Sequence, residues 1–465
     1  MAQVNIQTKI KESGKIQNID FDLVSNHSNN GNISLNLKTL MNTRNVFTTP
    51  KLSMETSQFP NSNFDYIAEG IYEYNWRLIA SDTNGGMFYK SSSGWAKSTV
   101  PSSLRGAASM LSFFKPGNMF VSCFSSASAG SFVSSDGGQL WWPSELPPTK
   151  LQNLFIPKYG DLMFGAYPGT LKYSYNGNLW ADCSGFNNPF SVIGIEGIMA
   201  AEYPSKTATT FPIPKSLVYV LVTMFKAVET PQIYYSENGI DWSTCSIDST
   251  NLLNTPVFGN GMFVTSVAER DDTGSTTPFF YSYDGITWTN SSSILSEGKT
   301  NELYYGNGLF ICTVPDTTNP TFVYSYDGTT WETQTISTVT QPGYFLGFVN
   351  DRFYYCTTSG VYQSTDGKNW SLVTKKDESP LVLSFSSNAV YMIYSNGLYV
   401  CCDNTHIYCS HNGVSDWVLM EFPNNVLGSG IKHPTFANGN FYIPYNGGIY
   451  TIKPDIDLKQ TLKFL

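Results

Sequence analysis

A seven-residue phrase, Ser-x-[Asp/Asn]-Gly-x-x-Trp, recurs down the chain and limits its fold more than any other feature. Five copies are intact: Ser174 to Trp180, Ser236 to Trp242, Ser282 to Trp288, Ser325 to Trp331 and Ser364 to Trp370. Ser134 to Trp141 and Ser410 to Trp417 carry one extra residue before the Trp, and Ser91-Ser92-Ser93-Gly94-Trp95 is an eroded eighth copy. Tryptophans 95, 141, 180, 242, 288, 331, 370 and 417 mark the period, and the one long interval, from 180 to 242, holds an insertion around Tyr203 to Lys215. Self-similarity at roughly 43 residues means stacked or radial supersecondary units rather than independent domains.

A second phrase lies between the tryptophans: Gly259-Asn260-Gly261, Gly306-Asn307-Gly308, Asn350-Asp351, Asn396-Gly397 and Asn438-Gly439, each before an aromatic or aliphatic run. Asn-Gly between two such runs predicts a type I′ hairpin, because that turn needs two residues at positive φ. Each unit therefore holds two hairpins, hence four strands. The fold class expected is all-β, a β-propeller of eight or nine four-stranded antiparallel blades. Eight units run from Asp65 to Met420, and a ninth after Phe436 has three strands and no Trp turn. A ring has to cover that free edge, so residues before Asp65 are expected to supply the missing strand.

In the Trp turn the Asp or Asn side-chain oxygen is suited to accept backbone N–H groups one and two residues on. Gly takes the positive φ, Ser pins the far side, and Trp packs its face between blades while its N–H seeks a partner. The phrase resembles the Asp-box, or BNR, repeat of sialidases, of many other propellers and of several bacteriophage virion proteins. That resemblance implies a sialidase-like ring with the boxes on the outer rim, away from any active site. It says little about function.

A sialidase would need a Tyr nucleophile, acid/base carboxylates and three arginines clamping the substrate carboxylate. The chain has only Arg44, Arg77, Arg105, Arg270 and Arg352, and Arg77 and Arg352 share one slot of the Asn-Gly strand. The family's Arg-Ile-Pro signature is also missing, so no catalytic residue is assigned. The four histidines, 27, 406, 411 and 433, have no zinc spacing, and neither a metal nor a cofactor is expected. Cys123, Cys312, Cys356 and Cys401 fall in one slot of different blades and Cys183 and Cys245 in another, with Cys401-Cys402 and Cys409 the only near neighbours, which suits small apolar core residues in a chain folded in a reducing compartment.

The charge sum is 27 Lys+Arg against 36 Asp+Glu, net −9, with 14% charged residues. This excludes nucleic-acid binding through a basic surface. No apolar run is long enough for a membrane span, and the first residues lack the apolar core of a secretory signal. Residues 1–62 form an expected N-terminal segment, with a β-hairpin by alternation at Ile19, Phe21 and Leu23 and at Ile33, Leu35 and Leu37. It either docks to something larger or closes the ring, and residues 63–465 form the propeller.

In a propeller the loops joining second to third strands share a face with the loops between blades. The longest such loop holds Glu269, Arg270, Asp271 and Asp272, the candidate ligand-face residues. The functional expectation is a non-enzymatic bacteriophage virion protein, of the tail or a fibre, folded in the host cytoplasm. Its partners would be other virion proteins, reached through the N-terminal segment, and a host-surface glycan or protein receptor. A carbohydrate-active hydrolase or lyase on the same ring is the alternative.

Overall fold

The structure is a computed structural model. It describes residues 51–54, 64–72, 75–91, 94–101, 108–124, 131–144, 153–157, 159–167, 170–186, 194–204, 215–224, 233–245, 247, 252–269, 279–291, 300–314, 319–336, 343–384, 390–421, 430–446 and 448–454. Every regular element among them is a β-strand. The strands form nine separate antiparallel sheets, which are the blades. Of the eight or nine expected, the ring has nine. Blades 1 to 8 span residues 64–97, 108–143, 153–182, 194–244, 252–290, 304–335, 343–372 and 391–419.

The Asn-Gly turns explain why each blade starts as a hairpin. Asn260, Asn307, Asn396 and Asn438 sit at φ between 43° and 48°, and the glycines after them between 76° and 79°. Blade 7 has Asp351 in the glycine slot at φ 63°, a conformation Asp tolerates better than most side chains. Positive φ at both central residues is the type I′ geometry, whose twist matches that of the strands.

First strands of successive blades touch one another from blade 1 to blade 8 and again between blades 9 and 1, which places them innermost. The ninth blade supplies three strands, Thr435–Ala437, Asn440–Tyr445 and Gly448–Lys453. Its fourth, outermost strand is Lys51–Met54, paired antiparallel so that Leu52 faces Ile452 and Met54 faces Tyr450. The N-terminal side thus closes the ring, as the truncated last repeat requires. Blade 9 then packs on blade 1: Ala437, Tyr442 and Ile449 share a buried cluster with Leu78, Ala80, Phe88 and Trp95, and Thr435 Oγ1 donates to the Ile67 carbonyl. The expected hairpin at Ile19 to Leu37 lies outside the described residues.

The core is a series of slabs, one between each pair of blades. In the slab between blades 5 and 6 the Trp331 indole stacks on Phe279 with ring centroids 3.6 Å apart and planes 8° apart. Trp370 stacks on Phe322 one blade further on, at 4.4 Å. All eight cysteines are free thiols and buried, and burial pushes Cys183, Cys245, Cys312 and Cys356 up to about 12. They act as small apolar residues.

Two blades depart from the repeat. In blade 5 the innermost position is split between Leu252–Leu253 and Val257–Gly259, both paired to Met262–Glu269. In blade 4 the insertion prolongs the first hairpin. Ala201 pairs with Val218 where Gly259 pairs with Met262 in blade 5, and the ladder continues through Glu202–Leu217, Tyr203–Ser216 and Pro204–Lys215. This hairpin rises three residue pairs beyond the level at which its neighbour turns.

Candidate functional site: the tyrosine rim and the loop face

The first-hairpin turns and the Trp turns share one face of the ring. There the Trp turn is closed by its own side chains. Asp284 Oδ1 accepts the N–H groups of Ile286 at 2.9 Å and Thr287 at 2.8 Å, so the acceptor reaches two and three residues on, not one and two as expected. Ser282 Oγ accepts Gly285 N–H at 2.8 Å and donates to Asp284 Oδ1 at 3.0 Å. Trp288 Nε1 donates to the Gly285 carbonyl at 3.2 Å. Asn176 does the same work as Asp, accepting from Asn178 and Leu179. The serine, Asp or Asn and backbone groups of these turns are therefore engaged internally, which fits a structural role for them, whereas the expected partner of the Trp N–H is missing at Trp331 and Trp417, whose Nε1 atoms are buried without one.

The turn glycine is fixed by two requirements. Gly328 lies at φ 67°, and a Cβ there would meet Met262 Sδ of the preceding blade at 2.5 Å. Gly285 and Gly367 meet Val220 and Leu309 of their preceding blades in the same way. The first-hairpin turns are also tied across blades. Asn260 Nδ2 donates to the carbonyls of Gly308 and Tyr326 in blade 6, and Asn307 Nδ2 donates to those of Asp351 and Thr365 in blade 7.

On this scaffold stand three tyrosine pairs that sequence reasoning missed. In blades 3, 5 and 6 the residues on either side of the turn serine are both tyrosine: Tyr173 and Tyr175, Tyr281 and Tyr283, Tyr324 and Tyr326. Each pair meets edge to face, with centroids 5.8, 5.7 and 6.2 Å apart and planes at 89°, 79° and 74°. The outer rings are 58%, 50% and 49% exposed. The signal was present as a repeated Tyr-Ser-Tyr, but only the fold shows that both rings line one notch.

The blade 6 notch holds a cation. The ammonium of Lys368, from the Trp turn of blade 7, lies 4.7 Å from the Tyr324 ring centre and 5.3 Å from that of Tyr326. Tyr324 Oη donates to Glu332 Oε2 at 2.6 Å, and Lys368 Nζ stands 3.6 Å from the same oxygen. Contact with the Tyr324 hydroxyl is the first cause raising the Lys368 ammonium above its ordinary value.

The opposite face carries the loops between second and third strands. Glu269 ends the second strand of blade 5, its backbone paired with Leu252. Arg270, Asp271 and Asp272 lie outside the described residues. The loop of blade 8 is described and presents another group. Asp403, fully buried, accepts N–H groups from Ser384, Thr405 and His406 at 2.7 to 2.8 Å. Its carboxylate also meets His406 Nδ1 at 3.1 Å. Burial alone would push the Asp403 carboxyl up, but these donors outweigh it and hold it below its ordinary value. Among the described residues no group of three or more His, Cys, Asp and Glu is arranged to hold a metal ion.

Fold and rim together define a nine-bladed β-propeller whose turn face is internally hydrogen-bonded and whose exposed aromatics stand in repeat register. Residues 290–440, from the end of blade 5 into blade 9, match the family model of the DUF6242 beta propeller domain. No curated protein matches the sequence. Among solved structures the chain is similar to the computationally designed Ika8 protein, at 10% identity and a TM-score of 0.43, over 84% of this chain and 96% of that one. It is also similar to YCF48 from Cyanidioschyzon merolae, at 10% identity and a TM-score of 0.39, over 67% and 98%. A third similarity is to Saccharomyces cerevisiae Sqt1, at 10% identity and a TM-score of 0.44, over 87% and 99%.

Proposed function

We propose that this propeller is a non-enzymatic binding head of a bacteriophage virion, in a tail or fibre, and that the Trp turns are Asp-boxes of the phage type. The observation that carries the binding reading is the tyrosine rim. Exposed aromatic rings normally cost solubility, yet here they recur at one slot of a turn whose serine and Asp or Asn groups already bond to one another. Rigid, half-exposed tyrosines supply contact area at little entropic cost, which is what a recognition surface needs. The net charge of −9 and the small share of charged residues suit adhesion through hydrogen bonds and ring stacking. Residues before 51 are the segment proposed to join other virion proteins, and a host-surface glycan or protein is the proposed receptor. The test is glycan-array binding with a product assay on the same preparation. Binding without turnover is expected; release of product would overturn the reading.

The alternative of a carbohydrate-active hydrolase or lyase is favoured by one observation, the Asp403–His406 pair. A buried carboxylate fixing one imidazole nitrogen orients the other for proton abstraction. His406→Ala would abolish turnover of any glycan on which the wild-type chain proves active.

A further inference from the structure

We propose that the tyrosine pairs of blades 3 and 5 are ammonium slots that take lysine side chains of a partner protein, which docks across blades 3 to 5 on the turn face. The proposal deepens the reading of the ring as a binding head by naming the chemistry of one docking surface.

The argument is internal to the repeat. Three tyrosine pairs share one ring geometry, and one of them is already covered by a lysine of this chain, which there also meets Glu332. Glu332 stands opposite the inner tyrosine of blade 6, but Thr289 and Ala181 stand opposite it in blades 5 and 3, so there the rings alone face the ammonium. Lys368 directly follows the turn glycine of blade 7, and its ammonium lies over both rings of the preceding pair. The positions equivalent to Lys368 are Thr329, facing the blade 5 pair, and Ile240, facing the blade 3 pair. Neither can supply a charge, and among the described residues no cation lies over Tyr281, Tyr283, Tyr173 or Tyr175. The inner rings differ in burial, whereas the outer rings are about half-exposed with or without the lysine. Tyr324, under Lys368, is 4% exposed, whereas Tyr173 and Tyr281 in the corresponding place are only half-buried. The chain thus shows what the blade 6 notch accepts and places no described cation over the other two pairs, of which the blade 3 pair has Tyr173 and Ile240 packed on one apolar cluster.

An ammonium over two aromatic faces is drawn by the ring quadrupoles, and the chain's net charge of −9 favours a basic partner. One slot alone binds weakly. Two on a rigid ring act together when a single segment spans them, which multiplies affinity without new contacts. Blade 4 lies between them and raises its prolonged hairpin there, so a partner spanning the slots meets that ladder as well.

The test uses the full chain and a labelled, end-capped pentalysine peptide, with its Nε-acetylated form as the uncharged probe, followed by fluorescence anisotropy at low salt. Pentalysine is expected to bind and the acetylated peptide not to. The paired change Tyr175→Ala with Tyr283→Ala should weaken binding at least fivefold. Thr329→Lys, which gives blade 5 its own filling cation, should also weaken binding, and more than Thr330→Lys, which makes the same charge change outside the notch. Lys368→Gln, which empties the third notch, should strengthen binding, and Tyr344→Ala, at an exposed tyrosine of an innermost strand, should leave it unchanged. Thermal melts establish that the variants are folded. No binding of pentalysine by the wild type, or equal binding by wild type and the tyrosine double variant, overturns the proposal. Glycan binding would persist in either case, so the broader reading stands or falls separately.

Discussion

The side-chain amide of Asn260 crosses a blade boundary to donate to the Gly308 carbonyl at 2.9 Å. A residue needed locally for its positive φ therefore also joins its hairpin to the next, and the two roles separate by substitution. Asn260→Gly keeps the backbone conformation and removes the bonds to Gly308 and Tyr326 together with the one Asn260 Oδ1 accepts from Tyr305 Oη, all three to blade 6. A loss of about 1–2 kcal/mol is expected in urea melts. The same change at Asn438, whose side chain makes no described bond to another blade, should cost a few tenths; equal losses would show that the cross-blade bonds carry no weight.

Gly328→Ala and Gly261→Ala both place a side chain at positive φ, near 67° and 77°. A Cβ at Gly261 meets nothing within 4 Å, whereas one at Gly328 runs into Met262. Gly261→Ala should cost about 1–2 kcal/mol from backbone strain, and Gly328→Ala a further 1–3 kcal/mol from overpacking. Differential scanning calorimetry of the pair would measure the gap.

Trp331→Ala should cost about 3–5 kcal/mol, because a 2%-exposed indole stacked on Phe279 leaves a cavity between two blades. Tyr283→Ala, at a half-exposed ring, should cost under about 0.5 kcal/mol. Comparable losses at the two positions in denaturant melts would mean that the slabs between blades do not hold the ring together.

Acid should loosen the Trp turns that use Asp. Burial raises the Asp327 and Asp366 carboxyls, but backbone and side-chain donors outweigh it and hold both at about 2, against 3.8 for a free Asp. The fold thus favours the ionised form. The stability it adds is full above pH 4, declines as pH falls, and is gone below about 2. Asp327→Asn with Asp366→Asn should flatten the fall in urea stability between pH 4 and 2, since Asn176 and Asn238 perform the same task without a titrating group.

Removing residues 1–45 leaves Lys51–Met54 on the outer edge of blade 9, and a soluble ring with an unchanged melting temperature is expected. Removing residues 1–54 bares the Gly448–Lys453 edge, including Ile452, and should bring aggregation, read by light scattering.

Most of the architecture was legible because each blade repeats the same local chemistry. Asn260-Gly261 announces its hairpin and Ser282-Tyr283-Asp284-Gly285 its turn with no knowledge of the neighbouring blade. The missing fourth strand of blade 9 likewise pointed back to residues before Asp65. What stayed hidden depends on a neighbour. Lys368 fills a notch made by residues more than forty positions earlier, and no local pattern says which blade's lysine meets which blade's tyrosines. Asp403 read as one acid among 36, because its burial and three backbone donors come from the loop's path and from Ser384 of a different segment. Glu269 to Asp272 were singled out for loop length alone, a weaker signal than the Tyr-Ser-Tyr triplets.

The neighbouring residues Cys401 and Cys402 face opposite sides of blade 8, one packed against blade 7 and the other toward blade 9. Burial raises both thiols far above their ordinary values, so neither reacts until its own seam parts. Alkylation kinetics at the two sulfurs would therefore time the breathing of two adjacent seams separately. A ring built this way carries its own clocks, and the seam that opens first is where the circle unzips.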